Sequence, residues 1–321
     1  MRPKAVITDY YFMNVDIEID ILEKNNIEPV VLQTKDEERL ISGCRDADGI
    51  INQFAPMTEN VISKLDKCKV IARYGIGYDN VDVKAASEKG IIVTNVPDYA
   101  IEEVSEHAIA LMVSLARKIP LLNSKVKQKL WDYNLVKPIY KINGTTLGLV
   151  GFGNIARNVA RRAQGLGIQV IACDPFIGET DMTRQNVKKV ELEELLTEAD
   201  FVSLHIPLTE DTRHLIGIKE LSLMKKSAFL INVARGPVVD ESGLVEALNK
   251  GVIAGAALDV LETEPVFPEN PLLEMENVII TPHMAWYTEE SEIKLRSTAA
   301  MDVAKVLTGQ RPDNPVNEDM L

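Results

Sequence analysis

The sequence predicts an α/β protein built from two doubly wound parallel sheets. Short apolar runs of strand length alternate with polar segments of helical period, an order typical of parallel sheets joined by crossover helices. This alternation runs from the N-terminus to about residue 95 and starts again near residue 145. A chain of 321 residues is also long enough for two domains with separate cores.

The first part of the chain contains five apolar runs that predict strands. A candidate helix follows from about Ala100 to Arg117, because its apolar residues recur at helical spacing, and Pro120 is expected to end it. The predicted strands are Ala5–Thr8, Pro29–Leu32, Gly49–Ile51, Val70–Ala72 and Ile91–Thr94.

The second part of the chain repeats the pattern. Helical spacing predicts helices at Asn154–Leu166 and at Glu290–Leu307. The predicted strands are Thr145–Val150, Ile168–Cys173, Phe201–His205, Ala228–Val233, Ile253–Leu258 and Val278–Thr281.

The amino-acid composition argues against several classes of binding partner. Acidic residues outnumber basic residues 48 to 35, and the formal net charge of −13 argues against nucleic acid or an anionic membrane. Cys44, Cys68 and Cys173 lack metal-ligand spacing, so we expect reduced thiols near a core and no metal site. The chain has no apolar run of signal-peptide or membrane-spanning length, so a cytoplasmic protein is expected.

The stretch LVGFGNIARN predicts a phosphate-binding turn. Gly151, Gly153 and Ala156 follow the pattern G-x-G-x-x-G/A between a predicted strand and a predicted helix. The helix N-terminus attracts anions, and Asp174 ends the next strand about 18 residues after Ala156, where its carboxylate can accept hydrogen bonds from a ribose. A purely packing role for the glycines is the alternative.

The four histidines differ in their positions relative to the predicted elements. His107 lies in a helix and His214 in a turn, and both are expected to be structural. His205 and His283 follow predicted strands, where side chains reach the functional edge of a parallel sheet. A loop histidine without chemistry is the alternative at both positions.

Arg235 and Glu264 also follow predicted strands and change the interpretation of His283. An arginine provides a planar fork for a carboxylate, and a histidine exchanges a proton near neutral pH. A glutamate beside that histidine favours its protonated form. With a nicotinamide, these three side chains predict a site for reduction of a carbonyl group.

Seven stretches, in order along the chain, are similar to those of the D-2-hydroxyacid dehydrogenase family. They are ARYGIGYDNVD, EEVSEHAIALM, LGLVGFGNIA, LHIPLTEDTRHLI, INVARGPVVDE, GAALDVLETEP and TPHMAWY. The last stretch, with VPDYAIEEVSEHA and GQRPDNPVN, most resembles the branch of phosphoglycerate-dehydrogenase-like proteins and C-terminal-binding-protein corepressors. This resemblance implies a Rossmann NAD-binding domain at 100–288, inserted in a flavodoxin-like substrate domain formed by 1–99 and 289–321.

The resemblance also implies roles for individual residues. Arg235 would bind the substrate carboxylate and carbonyl, His283 would be the acid/base catalyst and Glu264 would hold that histidine. Residues implied to bind NAD are Gly151, Gly153, Asn154 and Ile155 at the pyrophosphate, Asp174 at the ribose, His205, Pro207 and Thr212 on the adenosine side, Val233, Ala234 and Asp259 at the nicotinamide, and His283. Residues implied to bind or enclose the substrate are Asn52, Phe54, Ile76, Gly77, Arg235 and Trp286, with the N–H groups of Ile76 and Gly77 at the substrate carboxylate.

The implied function is NAD-dependent interconversion of a small 2-keto acid and its D-2-hydroxy acid. The alternatives are a D-3-phosphoglycerate dehydrogenase and an NAD-sensing binding protein like the corepressors. The stretch INQFAPMT contains no arginine or lysine, so a substrate without a second anion is expected, although a lysine or arginine elsewhere in the chain could compensate. A homodimer is also implied, because KIPLLNSKVKQKLWDYN resembles the dimer arm of the family.

Overall fold

Contacts divide the protein into two compact units. The structure is a computed structural model that describes residues 2–320. Unit 1 contains the residues up to Ala100 and those from Tyr287 onward, and unit 2 contains Ile101–Trp286. No helix among residues 2–320 has the length and apolarity needed to cross a bilayer.

The elements are numbered in chain order. The first part of the chain forms β1 (Lys4–Ile7), α1 (Asp16–Lys24), β2 (Glu28–Val31), α2 (Glu37–Cys44), β3 (Gly49–Asn52), α3 (Glu59–Ser63), β4 (Val70–Arg73), α4 (Val83–Glu88) and β5 (Ile92–Thr94). The middle part begins with α5 (Ile101–Arg117), α6 (Ile119–Lys127), β6 (Thr146–Val150), α7 (Asn154–Gly165), β7 (Gln169–Cys173), α8 (Glu179–Thr183), β8 (Lys188–Lys189) and α9 (Leu192–Glu198). It continues with β9 (Phe201–Leu204), α10 (Ile218–Leu223), β10 (Phe229–Asn232), α11 (Glu241–Asn249), β11 (Gly255–Leu258) and β12 (Val278–Ile280), and α12 (Glu289–Leu307) follows.

Unit 1 is built on a five-stranded parallel sheet with the order β2-β1-β3-β4-β5. In the register, Ala5 lies opposite both Pro29 and Gly49. Apolar strand residues such as Ile50 and Ile71 are fully buried, which explains why the strands appear as continuous apolar runs. Helix α12 returns to this unit and packs on α1, β3 and β4.

Unit 2 is built on a seven-stranded parallel sheet with the order β12-β11-β10-β9-β6-β7-β8. From β6 the chain adds β7 and β8 on one side of β6. It then crosses to β9, which pairs with the other side of β6. The carboxyl ends of β6 and β9 therefore form a switch point, the usual ligand position in such sheets. The two parallel sheets confirm the predicted fold class.

Two local features differ from the sequence expectations. Helix α5 ends at Arg117 because Lys118 adopts the left-handed conformation, with φ of 52°. Pro120 lies in the first turn of α6, where the missing N–H costs no hydrogen bond, so the expectation that Pro120 ends α5 was wrong. Strand β8 was not predicted, because Lys188 and Lys189 give no apolar run.

Candidate active site

The turn after β6 has the geometry of a phosphate cradle. Gly151 has φ of 90°, and a β-carbon there would lie 2.5 Å from the carbonyl oxygen of His205. Gly153 precedes α7 in extended conformation, and a β-carbon at that position would meet no atom within 4 Å. No side chain caps α7, so the first N–H groups of that helix, including those of Asn154 and Ile155, are available to an anion.

Asp174 is held in position at the end of β7. One of its carboxylate oxygens, Oδ2, accepts a hydrogen bond from Phe152 N at 2.8 Å, and Oδ1 accepts hydrogen bonds from Phe176 N and Ile177 N. A carboxylate has about four acceptor positions, so capacity remains for a ribose hydroxyl. The open turn, the uncapped helix and this fixed carboxylate together fit an NAD nucleotide.

The neighbouring strand end carries the residues expected beside adenosine. The His205 Nε2 atom lies 2.9 Å from Ser203 Oγ, and burial lowers the pKa of His205 to about 4, so its ring is neutral at pH 7. Thr212 donates its hydroxyl hydrogen to the carbonyl oxygen of Pro207 at 2.7 Å and closes the following turn. These contacts give the loop a defined shape, and the expected contacts of His205, Pro207 and Thr212 with a nucleotide stay predictions.

Asn232 organises the loop that carries Arg235. This buried side chain at the end of β10 accepts a hydrogen bond from Ala234 N at 3.0 Å and donates one to the carbonyl oxygen of Arg235 at 2.9 Å. Asn232 was not among the residues predicted from the sequence, although a polar residue at the end of a buried strand was the available signal. Val233 and Ala234, expected near the nicotinamide, lie within this loop.

Gly236 brings the Arg235 loop against the segment after β11. A β-carbon on Gly236 would lie 1.9 Å from the carbonyl oxygen of Leu261, so only glycine fits at this position. The Leu261 backbone N–H donates to Glu264 Oε1 at 3.1 Å. Close backbone packing therefore connects the loop that carries Arg235 to the loop that carries Glu264.

His283 and Glu264 form a direct pair. The distance between His283 Nδ1 and Glu264 Oε2 is 2.6 Å, and their side chains are 26% and 35% exposed. The carboxylate fixes which ring nitrogen carries the shared proton and leaves Nε2 for exchange with a ligand.

Asp259 holds the turn around His283. Its two carboxylate oxygens accept hydrogen bonds from Met284 N and Ala285 N, and its carbonyl oxygen accepts one from His283 N at 2.8 Å. Trp286 Nε1 donates to the carbonyl oxygen of His283 at 3.0 Å. These bonds support His283 in the left-handed region, with φ of 51°. Asp259 was expected at the nicotinamide edge, and the structure adds this role in the turn.

The expected substrate loop lies in unit 1. The Asn52 side chain is fully buried and donates to Thr8 Oγ1 and to the carbonyl oxygen of Ala55, so it shapes the loop from inside. The N–H of Phe54 is held by Asp9 Oδ2 at 2.9 Å. The residue Phe54 is partly exposed, and the expected roles of Asn52 and Phe54 at the substrate stay predictions.

Two cations from outside the loop lie against the ring of Phe54. The Lys35 ammonium is 4.9 Å from the ring centroid, and the Arg73 guanidinium is 5.9 Å from it. Both residues lie outside the stretch INQFAPMT, so they are candidates for the compensating cation that the sequence left open. The expected preference for a substrate without a second anion stays a prediction.

The backbone of the YGIG stretch is held in place by a hydrogen bond to one of its carbonyl groups. Asn95 Nδ2 donates to the carbonyl oxygen of Ile76 at 2.7 Å. The N–H groups of Ile76 and Gly77, expected to bind a carboxylate, belong to this anchored backbone. Their role in binding stays a prediction.

A family model and two similar proteins indicate the same relationship. The model described as D-isomer specific 2-hydroxyacid dehydrogenase, NAD binding domain, matches residues 109–285. The chain is 43% identical to D-3-phosphoglycerate dehydrogenase of Methanocaldococcus jannaschii over 93% of its own length but only 57% of that relative. It is 39% identical to glyoxylate reductase of Korarchaeum cryptofilum, covering 88% of the chain and 86% of the relative.

A solved structure shows the same relationship. D-lactate dehydrogenase from Aquifex aeolicus, in complex with NAD and lactic acid, superposes with a TM-score of 0.86 at 30% identity. The match covers 97% of this chain and 98% of that chain. The chain therefore belongs to the D-isomer specific 2-hydroxyacid dehydrogenases.

Proposed function

We propose that this protein is an NAD-dependent oxidoreductase that interconverts a small 2-keto acid and its D-2-hydroxy acid. The observation that carries the proposal is the 2.6 Å pair between His283 and Glu264, on the sheet that also carries the phosphate cradle. Family membership supports the reaction class, and the glyoxylate reductase and D-lactate dehydrogenase relatives support the substrate class.

Three side chains of unit 2 take part in the proposed reaction. When bound, NADH supplies the hydride for the C2 carbonyl carbon. His283 donates a proton from Nε2 to the carbonyl oxygen, and Glu264 orients the ring through its contact with Nδ1. Arg235 binds the carboxylate and stabilises the negative charge that grows on the carbonyl oxygen.

We also propose that unit 2 is the NAD-binding domain and unit 1 the substrate domain of a cytoplasmic enzyme. The cradle formed by Gly151, Gly153 and Asp174 supports the first assignment. Phe54 and the anchored Ile76 support the second. Three free cysteines in the structure are compatible with a reducing compartment.

A substrate panel tests the proposed reaction. NADH consumption is measured with glyoxylate, pyruvate, hydroxypyruvate and 3-phosphohydroxypyruvate, and turnover of at least one small 2-keto acid is expected. Preference for 3-phosphohydroxypyruvate would support the phosphoglycerate dehydrogenase alternative, to which Lys35 and Arg73 beside Phe54 would then be relevant. NADH binding without turnover of any compound would support a binding protein and contradict the proposal.

We further propose a homodimer formed through α6 and the segment after it. Helix α6 has no buried residue, and Trp131 and Tyr133 are 88% and 70% exposed. An exposed apolar surface of this kind is typical of an interface with a second copy.

Light scattering after size exclusion is expected to show a dimer for the wild type and a monomer for Trp131→Glu. Phe267→Glu, at another exposed aromatic residue, is the control, and an unchanged mass for Trp131→Glu would contradict the proposed interface.

A further inference from the structure

Three side chains from separate elements form a hydrogen-bonded chain beside the catalytic pair. His107 lies on α5, Thr281 directly follows β12, and Asp259 directly follows β11. His107 Nε2 is 3.0 Å from Thr281 Oγ1, and Thr281 Oγ1 is 2.6 Å from Asp259 Oδ1. The roles expected for unit 2 from the sequence use neither His107 nor Thr281.

The directions of these hydrogen bonds follow from the single hydrogen of a hydroxyl group. Thr281 donates that hydrogen to the Asp259 carboxylate. Its oxygen can therefore only accept from His107, so the Nε2 atom of His107 carries a proton. The Asp259 Oδ1 atom is 3.7 Å from His107 Nε2, so this proton lies near the carboxylate.

The Asp259 carboxylate transmits this arrangement to His283. The same Oδ1 atom accepts the N–H of Met284 at 3.0 Å, and Oδ2 accepts that of Ala285 at 2.9 Å. These bonds close the turn that holds His283 at φ of 51°, a conformation that is disfavoured for any residue with a side chain. If Asp259 rotates, the turn loses both bonds.

We propose that His107 and Thr281 are positioning residues for His283. They fix the rotamer of the Asp259 carboxylate, which in turn fixes the turn and the 2.6 Å contact between His283 and Glu264. This inference rests on the proposed function for its kinetic consequence, but its structural consequence can be measured without cofactor or substrate.

The kinetic test compares variants of Thr281 that keep or lose the hydroxyl. Thr281→Val preserves the shape of the side chain and removes the hydroxyl, and we expect kcat to fall about 30-fold, because small misplacements of a catalytic group are costly. The KM for the keto acid is expected to stay within about threefold, since Arg235 is untouched. Thr281→Ser is expected to restore kcat to within about threefold of wild type, and Thr197→Val, on the exposed surface of α9, is the control.

The spectroscopic test uses the protein without ligands. The chain has only four histidines, so the low-field ¹H signal of His283 Nδ1–H can be assigned from its loss in Glu264→Gln. We expect the signal to shift or broaden in Thr281→Val and in His107→Phe, and to persist in Thr281→Ser and Thr197→Val. Circular dichroism verifies that each variant folds. If Thr281→Val does not fold, the comparison of His107→Phe with Thr281→Ser tests the positioning role instead.

An unchanged His283 signal in a folded variant without the hydroxyl, or in His107→Phe, would overturn the inference. So would a kcat within about threefold of wild type in that variant. Absence of turnover in the wild type, combined with a signal that depends on Thr281, would instead refute the proposed function and leave the positioning role intact.

Discussion

Glu264 and His283 are 19 residues apart in the sequence and are 2.6 Å apart in the structure, because they follow the adjacent parallel strands β11 and β12. The predicted strand ends placed both residues at the functional edge of the sheet, and the family resemblance implied that Glu264 holds His283. The sequence did not predict Asn232, which shapes the Arg235 loop, or the contact of His107 with Thr281, which are 174 residues apart. Contacts between side chains of distant elements depend on helix packing, which apolar periodicity does not specify.

Replacement of His283 by alanine tests its role as the acid/base catalyst. We expect kcat to fall by about 10² to 10⁴, because the proton donor is lost, whereas the Kd for NADH should change less than about threefold. His214→Ala is the matched control, since His214 also pairs with a glutamate, Glu262, at 2.7 Å. Steady-state kinetics with loss of less than about tenfold for His283→Ala would show that another group supplies the proton.

Cofactor choice is predicted from Asp174. A 2′-phosphate near this fixed carboxylate would meet a like charge, so kcat/KM should be at least about tenfold higher with NADH than with NADPH. Asp174→Ser is expected to reduce that ratio. Equal or better kinetics of the wild type with NADPH would contradict the assignment of Asp174 to the ribose.

At the scale of elements, the apolar runs located the main strands to within about two residues at either end, because buried parallel strands have continuous apolar sequences. Strand β8 was missed because it has two lysines and no apolar run. The end of α5 is set by Lys118 in the left-handed region and not by Pro120, and no residue type requires that conformation. Such features depend on the surrounding structure.

Replacement of Gly236 tests the packing between the Arg235 loop and the Glu264 loop. In Gly236→Ala the new β-carbon would meet the Leu261 carbonyl oxygen at 1.9 Å, so the Arg235 loop must move away from the Glu264 loop. We expect kcat/KM for the keto acid to fall about 100-fold. Gly165→Ala at the end of α7, where a β-carbon meets no atom within 4 Å, should retain wild-type kinetics. A similar loss in both variants, or in neither, would contradict this account of the loop packing.

At the scale of the whole molecule, two parallel sheets and their strand orders account for where the candidate residues lie. The alternation of predicted strands and helices, which occurs twice along the chain, predicted both sheets. The resemblance to the D-2-hydroxyacid dehydrogenase family implied that the domain containing one sheet is inserted in the domain containing the other. Buried polar groups such as Asp9 were not predicted, because their partners come from other segments: the Asp9 carboxylate accepts hydrogen bonds from the N–H groups of Gln53, Phe54 and Ala55. These groups shape the loops at the strand ends.

Stability at acid pH is predicted from His205. Burial lowers its pKa from 6.5 to about 4, so between those values the unfolded chain binds a proton that the folded protein does not bind. The stability associated with the neutral ring is therefore complete above about pH 6.5 and is lost as the pH falls towards 4. Relative to His205→Gln, the wild type should lose about 2 kcal/mol of unfolding free energy between pH 7 and pH 4.5. Urea unfolding measures this difference, and equal pH slopes for both proteins would contradict it.

The stereochemistry of reduction tests the proposed D-2-hydroxyacid dehydrogenase activity. The wild-type protein is incubated with NADH and the best small 2-keto acid that gives a chiral product, such as pyruvate or hydroxypyruvate, and the product is resolved on a chiral column. We expect NADH consumption with the D-2-hydroxy acid as the sole product, and loss of that product in His283→Ala. Formation of the L-2-hydroxy acid, or no reduction of any small 2-keto acid by protein that binds NADH, would contradict the proposed activity.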